Sequence, residues 1–216
     1  MMGSVLMVAN ILVKHFEAGG PVMWPILVTA LVAVAVVGER GFWWLRESRK
    51  RDPATLEKVF AAMEAGDFTE ASRLSRDSAD AVVRMLWHGL NHHHSSLQGA
   101  LQVAAGVELQ KAGRFLTVMD TLVTLAPLLG LLGTVAGIFR TFLAIGSASV
   151  EGAIGQVTGG IGEALIATMC GLAIAIFSLI PFNFFTRKVA QLHFELESAA
   201  TNAEVMVAAA KQNRPA

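Results

Sequence analysis

The stretch Gly159-Gly160-Ile161-Gly162-Glu163-Ala164-Leu165-Ile166-Ala167-Thr168 opens onto a run without charged residues, from Ala164 to Thr186. About 20 helical residues, each rising about 1.5 Å, cross the hydrocarbon core of a membrane. The 23 residues of this run are therefore predicted to form a transmembrane helix. A carboxylate inside a membrane normally faces a bundle interior, a wet cavity or an ion path. Glu163 lies at the edge of this span or inside it, which makes it the first candidate functional residue.

Two further runs, Pro21 to Gly38 and Thr121 to Phe139, also lack charged residues and are just long enough to span a membrane. The chain has 216 residues, of which 54% are hydrophobic and only 16% are charged, which excludes an ordinary soluble domain. Nothing in the pattern favours strands. We expect an all-α protein with three membrane spans.

The basic residues predict the orientation of the chain. Residues 44–115 contain ten of the 17 Lys and Arg residues, and the tail after the third span contains four. The link from Thr141 to Gly162 contains none. By the positive-inside rule, the N-terminus and this link face outward, whereas residues 44–115 and the C-terminal tail are cytoplasmic.

Within the cytoplasmic part we expect helical hairpins, with a helix starting at Asp52-Pro53 and a break at Gly66-Asp67. Nothing from Ser96 to Pro127 obviously stops a helix, so one long helix should run into the second span. Residues 5–17 fit either an interfacial helix or a frayed leader. The predicted segments are an N-terminal interfacial segment (1–20), transmembrane helix 1 (21–43), a cytoplasmic helical domain (44–115), transmembrane helix 2 (116–145), a periplasmic link (146–156), transmembrane helix 3 (157–186), and a cytoplasmic C-terminal helix and tail (187–216).

The second span carries Gly130, Gly133 and Gly137 at spacings of three and four, which makes a smooth face for a neighbouring helix. Thr134 lies beside this face. Its hydroxyl can bond its own backbone or face a lumen. Close packing of two helices and the lining of a pore explain this glycine spacing equally well.

The third span begins with small and polar residues, and Gly171 extends its helix-packing surface. At about 100° per residue, Thr168 lies about 140° from Glu163. The two side chains therefore cannot point at one axis from a straight helix. Glu163 itself fits two positions equally well: a buried site, or a helix-start carboxylate at the outer interface near the favourable end of the helix dipole.

Other chemistry has little support in the sequence. No nucleophile–base pair, phosphate-binding loop or metal-ligand set is evident, so we expect no enzyme activity, cofactor or metal. The tract His92-His93-His94 is interpreted as a solvated loop. The one cysteine, Cys170, lies within the third span and cannot form an intrachain disulfide.

Three segments together resemble the ExbB/TolQ/MotA proton-channel family, and most closely its ExbB/TolQ branch. The first runs from Gly19 to Leu27, with Gly38-Glu39-Arg40 closing that span. The other two are Gly130-Leu131-Leu132-Gly133-Thr134-Val135-Ala136-Gly137-Ile138 and Gly162-Glu163-Ala164-Leu165-Ile166-Ala167-Thr168. Gly162 stands where the family usually has alanine, and Ala136 where a bulky residue is frequent.

The resemblance implies an inner-membrane homopentamer whose second and third helices line a pore around the spans of a dimeric ExbD/TolR-like partner. Thr134 and Thr168 then correspond to pore-lining threonines, and Glu163 to the third-helix glutamate of the family. The partner's aspartate carries the proton, so Glu163 is expected to act as a gate or electrostatic tuner. A flagellar stator is disfavoured, because the MotA branch normally has a fourth span and lacks this glutamate.

The function implied is a proton-channel subunit that couples proton-motive force to outer-membrane work, with a TonB-like or TolA-like protein as a further partner. A role in nutrient import, like that of ExbB, is the preferred interpretation. A role in envelope integrity, like that of TolQ, and a non-conducting structural scaffold are the alternatives.

Overall fold

The computed structural model describes residues 16, 19–91, 96–145 and 150–212. Within these residues there are seven helices and no strands, which confirms the all-α class. The helices are α1 (Met23–Ser48), α2 (Pro53–Glu64), α3 (Phe68–Ser75), α4 (Ala81–Asn91), α5 (Leu97–Ala112), α6 (Leu116–Ile145) and α7 (Val150–Gln212). Nearly all of the N-terminal interfacial segment expected over residues 1–20 lies outside the described residues, and so does the histidine tract at 92–94.

Three of these helices contain stretches long and apolar enough to cross a membrane: Met23–Ser48, Leu116–Leu143 and Val157–Ala210. They contain the second and third runs found in the sequence and the first run from Met23 onward, so the prediction of three spans is confirmed. Pro127 and Pro181 lie inside α6 and α7, which continue through both positions. Residues 150–156, assigned to the link from sequence, form the first turns of α7.

The chain divides into two compact units. The span unit consists of Met1–Glu39 and Phe115–Asn183, and the hairpin unit of Arg40–Arg114 and Phe184–Ala216. Because α1 and α7 are continuous helices, each contributes residues to both units. The expected continuation of the third span into a C-terminal helix is therefore confirmed.

Three of the four short helices in the hairpin unit begin with a side-chain cap. Asp52, Asp67 and Ser96 accept hydrogen bonds from the backbone N–H groups three residues later, at 3.0, 2.9 and 3.0 Å. Such caps satisfy N–H groups that have no partner within the helix. The expected start at Asp52-Pro53 is confirmed. The break at Gly66-Asp67 is confirmed as well, and Gly66 adopts a φ of 76° there.

The core of the hairpin unit is built from large apolar side chains. Its centre lies where α4, α5 and the last part of α7 meet. The most deeply buried members are Val59, Met63, Val83, Met85, Leu86, Leu101 and Leu196. Burial of side chains of this size supplies most of the free energy that holds such a unit together.

Charged side chains bridge the helices of the same unit. Arg84 Nη2 lies 2.6 Å from Glu108 Oε2 and 3.2 Å from Glu47 Oε1, while Lys111 Nζ lies 2.9 Å from Glu108 Oε1. Burial alone would raise the pKa of Glu108. Hydrogen bonds and charge attraction from Arg84 and Lys111 outweigh burial, so the pKa lies below its usual 4.5. Burial alone would lower the pKa of Arg84. Hydrogen bonds and charge attraction from Glu108 and Glu47 outweigh that effect, so the pKa of Arg84 is raised. Glu108 and Arg84 therefore carry opposite charges at neutral pH.

Arg40 fastens the end of α5 to α1. Its side chain is 1% exposed, and Nη1 donates to the carbonyl oxygens of Lys111 and Ala112 at 3.2 and 3.3 Å. The guanidinium also lies 4.9 Å from the ring centroid of Trp43. A cation is stabilised at a helix C-terminus because the unpaired carbonyl groups there carry partial negative charge.

The expectation of one helix from Ser96 to Pro127 is wrong. Helix α5 ends at Ala112, and α6 begins at Leu116. Between them Phe115 has a φ of 64°, a left-handed conformation that a bulky residue rarely adopts. Gly113 is the C-cap of α5, and its N–H donates to the carbonyl oxygen of Leu109 at 2.8 Å, so this glycine was the sequence signal for the break.

Candidate functional site

Helices α6 and α7 approach closely along the glycine face of α6. A Cβ atom at Gly130 would lie 2.9 Å from Thr168 Cα, and one at Gly133 would lie 2.5 Å from Ala167 Cβ. At Gly137 the distance to the nearest atom of α7 would be 3.1 Å. These distances are shorter than normal carbon–carbon contacts, so glycine is required for the observed separation of the two helices.

Helix α7 contributes to the same contact from its own side. A Cβ atom at Gly171 would lie 2.5 Å from the carbonyl oxygen of Ala126 and 3.0 Å from Gly130 Cα. Next to it, Thr168 Oγ1 donates a hydrogen bond of 2.9 Å to the carbonyl oxygen of Gly130. The Thr168 hydroxyl is therefore engaged in joining the two helices within one chain.

Thr134 lies at the edge of this contact and is half-exposed. Its Oγ1 donates to the carbonyl oxygen of Leu131 at 2.6 Å, within its own helix. Thr134 and Thr168, the two threonines singled out from sequence, thus bond to different carbonyl groups of α6.

Glu163 pairs with a cation at the other end of α6. Arg140 Nη2 lies 2.7 Å from Glu163 Oε1, with exposed side-chain fractions of 45% and 26%. This oxygen is buried and accepts no hydrogen bond within the described part of the chain, so charge attraction is the main interaction. Arg140 Nε donates to the carbonyl oxygen of Ala136 at 3.3 Å, which holds the guanidinium against its own helix.

Gly20, just before α1, lies directly against the Glu163 carboxylate. Its φ is 68°, a conformation that glycine adopts without strain. A Cβ atom at this position would overlap Glu163 Oε1 and lie 2.6 Å from its Cδ and 3.2 Å from Arg140 Nη2. Glycine is therefore required at residue 20 for two independent reasons, backbone conformation and space.

The face of α7 that carries Glu163 continues into the core of the span unit. Ala167 is buried against Met23 and Ile26 of α1, and Cys170 and Ile174 pack at the edge of the same cluster. Glu163 and Thr168 point in different directions, as their angular separation predicts. The structure brings Glu163 to Arg140 and Gly20, and brings Thr168 to Gly130.

Sequence reasoning did not identify Gly20 and Arg140 as site residues. Two features of the sequence point to them. Arg140 ends the second run and Glu163 precedes the third, so a cation and an anion bracket the same end of two consecutive spans. Gly19-Gly20-Pro21 interrupts regular structure just before the first span, as a left-handed turn residue would.

Among the described residues, no group of three or more His, Cys, Asp or Glu side chains is arranged to hold a metal ion. The site consists of one carboxylate, one guanidinium and two hydroxyl groups in otherwise apolar helices. Such an arrangement can shape the electrostatic potential along an ion path.

Comparison with known proteins gives a consistent result. Residues 72–198 match the model of the MotA/TolQ/ExbB proton channel family. This range includes the whole α6–α7 contact and both members of the Arg140–Glu163 pair.

Individual relatives carry the ExbB name. Biopolymer transport protein ExbB-like 1 of Synechocystis is 36% identical over 80% of this chain and 69% of its own length. ExbB-like 3 of the same organism is 34% identical over 78% of this chain and 81% of its own length. Biopolymer transport protein ExbB of Xanthomonas campestris is 42% identical over 63% of this chain and 57% of its own length.

Proposed function

Because this chain belongs to the MotA/TolQ/ExbB proton channel family, we propose that it is an ExbB-like subunit coupling proton-motive force to work at the outer membrane. It lies in the bacterial inner membrane, with its N-terminus in the periplasm and its C-terminus in the cytoplasm. Five copies surround the spans of a dimeric ExbD/TolR-like partner. A TonB-like protein receives the mechanical work and supports nutrient import.

The charged pair in the apolar spans carries this proposal. A carboxylate in a membrane helix is costly and is normally retained for ion movement. The guanidinium 2.7 Å away compensates part of that cost and leaves a polar point within an apolar helix pair. Family members are channel or transport-associated proteins, so the chain is a transport subunit and not an enzyme.

In this proposal Glu163, Thr134 and Thr168 belong to the proton pathway, and the partner's carboxylate carries the proton. Glu163 sets the local potential through which that proton passes. Gly130, Gly133, Gly137 and Gly171 keep α6 and α7 in contact and so hold these polar groups in place. A membrane potential supplies about 2.3 kcal/mol per charge per 100 mV, so a few protons suffice to drive movement of the partner.

The test is proton uptake into vesicles that contain the full chain and a co-expressed ExbD-like partner. Glu163→Gln keeps the size of the side chain and removes its charge, and we expect at least a tenfold loss of uptake. Glu57→Gln is the matched control, since Glu57 is an exposed carboxylate in the hairpin unit. It should behave as wild type.

Two results would contradict the proposal. Wild-type vesicles that take up no protons with the partner present would favour a structural scaffold. Normal uptake by Glu163→Gln would remove Glu163 from the pathway while leaving the family membership intact.

A further inference from the structure

We propose that Arg140 is the positioning residue for Glu163, pairing with its carboxylate and holding it against Gly20. The proton pathway then contains a fixed carboxylate at this point instead of a mobile one. This inference rests on the proposed function, because it assigns a role to Arg140 in the same pathway.

The first argument comes from the contacts of the two side chains. Glu163 Oε1 is buried, accepts no hydrogen bond from the described residues, and lies 2.7 Å from Arg140 Nη2. Removal of the guanidinium would leave this oxygen buried without compensation. A buried carboxylate oxygen without a partner is costly, so the side chain should then turn away from Gly20.

The second argument is that the guanidinium is itself held in place. Arg140 Nε donates to the carbonyl oxygen of Ala136, one helical turn earlier. Arginine stays protonated under essentially all conditions in proteins and presents donors in a fixed plane. Its charge therefore does not depend on whether a proton passes nearby.

The third argument is steric and comes from Gly20. The Glu163 carboxylate occupies the space where any other residue 20 would place its Cβ atom. The carboxylate is thus confined between a backbone on one side and a cation on the other. A group that shuttles protons needs freedom to reorient, and this confinement removes it.

Infrared spectroscopy of the purified protein tests the positioning directly, with Glu163→Gln used to identify the Glu163 bands. The frequencies of these bands depend on the partner of the carboxylate, so in Arg140→Gln they should shift from their wild-type positions. Arg140→Lys keeps a cation at residue 140 and should reverse most of that shift. Bands that stay at the wild-type positions in Arg140→Gln would overturn the inference.

Proton uptake with the ExbD-like partner gives the second readout. Arg140→Gln should lower uptake about fivefold or more, the effect of losing a partly exposed ion pair. The double variant Arg140→Gln/Glu163→Gln should be no worse than Glu163→Gln alone, because the two residues act as a unit. Losses that multiply would show independent roles and reject the pairing.

The two readouts separate the inference from the proposed function. Normal uptake in Arg140→Gln, with uptake lost in Glu163→Gln, defeats the inference and leaves the proposed function standing. A wild-type protein that does not conduct defeats the proposed function, and the infrared result still decides whether Arg140 holds Glu163 in place.

A pair of glycine variants tests the confinement. Gly20→Ala must displace the carboxylate, so it should reproduce the infrared change and the loss of uptake seen in Arg140→Gln. Gly162→Ala is the matched control, because a Cβ atom there meets nothing within 4 Å. Wild-type spectra and uptake in Gly20→Ala would show that Gly20 does not confine Glu163.

Discussion

The two units of the molecule pack their helices with different side chains. In the span unit, α6 and α7 meet through glycine and alanine, and the contact distance is set by the backbones themselves. In the hairpin unit, alanines and Gly89 also lie in the core, but the contacts are made by larger apolar side chains such as Leu101 and by the cluster around Arg84 and Glu108.

This difference reflects the surroundings of each unit. Lipid is as apolar as leucine, so burying leucine between membrane helices gains little, and close backbone approach is the main source of attraction. In water, burial of large apolar side chains is favourable in itself. The span unit should therefore be most sensitive to added atoms and the hairpin unit to removed ones.

The largest expected effect is that of one added methyl group in the span unit. Gly171→Ala would place its Cβ atom 2.5 Å from the Ala126 carbonyl oxygen, which is backbone and cannot turn away. Forced separation of the helices should cost up to about 3 kcal/mol, the upper range for overpacking. Thermal unfolding in detergent, followed by circular dichroism, should show a clear loss of stability. An unchanged transition would mean that the two helices are not in backbone contact.

The next effect is that of a removed charge in the hairpin unit. Arg84→Met keeps most of the side-chain volume but leaves the buried carboxylate of Glu108 with Lys111 as its remaining partner in the cluster. The loss should be about 2 kcal/mol, typical of a partly buried charged hydrogen bond. Arg73→Met is the control, because the Arg73–Glu70 pair is exposed. Denaturant unfolding that affects the two variants equally would contradict a special role for the cluster.

Acid should weaken the hairpin unit through Glu108. Its folded-state pKa is below the usual 4.5, so the folded state binds fewer protons than the unfolded state does. The stabilisation is complete above pH 4.5 and is lost as the pH falls through the folded-state value. Between neutral pH and pH 3, Glu108→Gln should lose less stability than wild type. Parallel losses would show that other groups account for acid sensitivity.

The smallest expected change in stability is a gain instead of a loss. Gly106 lies in the interior of α5, is exposed, and has no atom within 4 Å of an added Cβ. Gly106→Ala should therefore stabilise the hairpin unit by up to about 1 kcal/mol through helix propensity alone. Thermal unfolding of this variant beside Gly171→Ala compares one methyl group in the two units directly. Destabilisation by both would remove the distinction between the units.

Sequence alone was sufficient for the elements defined by local pattern. Membrane spans follow from length and hydrophobicity, and the start at Asp52-Pro53 follows from capping chemistry. The break before α6 was missed because the left-handed residue is Phe115, a residue type that gives no sign of that conformation, and because Gly113 was not interpreted as a helix end.

The candidate site was accessible only in part for a similar reason. Glu163 stands out because charge is rare in an apolar run. Its contacts with Arg140 and Gly20 join residues 23 and 143 positions apart, and no local periodicity encodes such distances. The bond from Thr168 to Gly130 likewise depends on how closely two helices pack, which follows from their glycines only once the helix pair is known.

The fit of Gly20 against Glu163 also has a consequence for how such chains can diverge. A side chain cannot enter at residue 20 while a full-length glutamate stays at residue 163, since both would claim the same volume. The residues at these two positions should therefore change together during the evolution of related chains. Among related chains, a residue larger than glycine at the first position should be accompanied by a shorter side chain at the second, and Arg140 should then be free to vary as well.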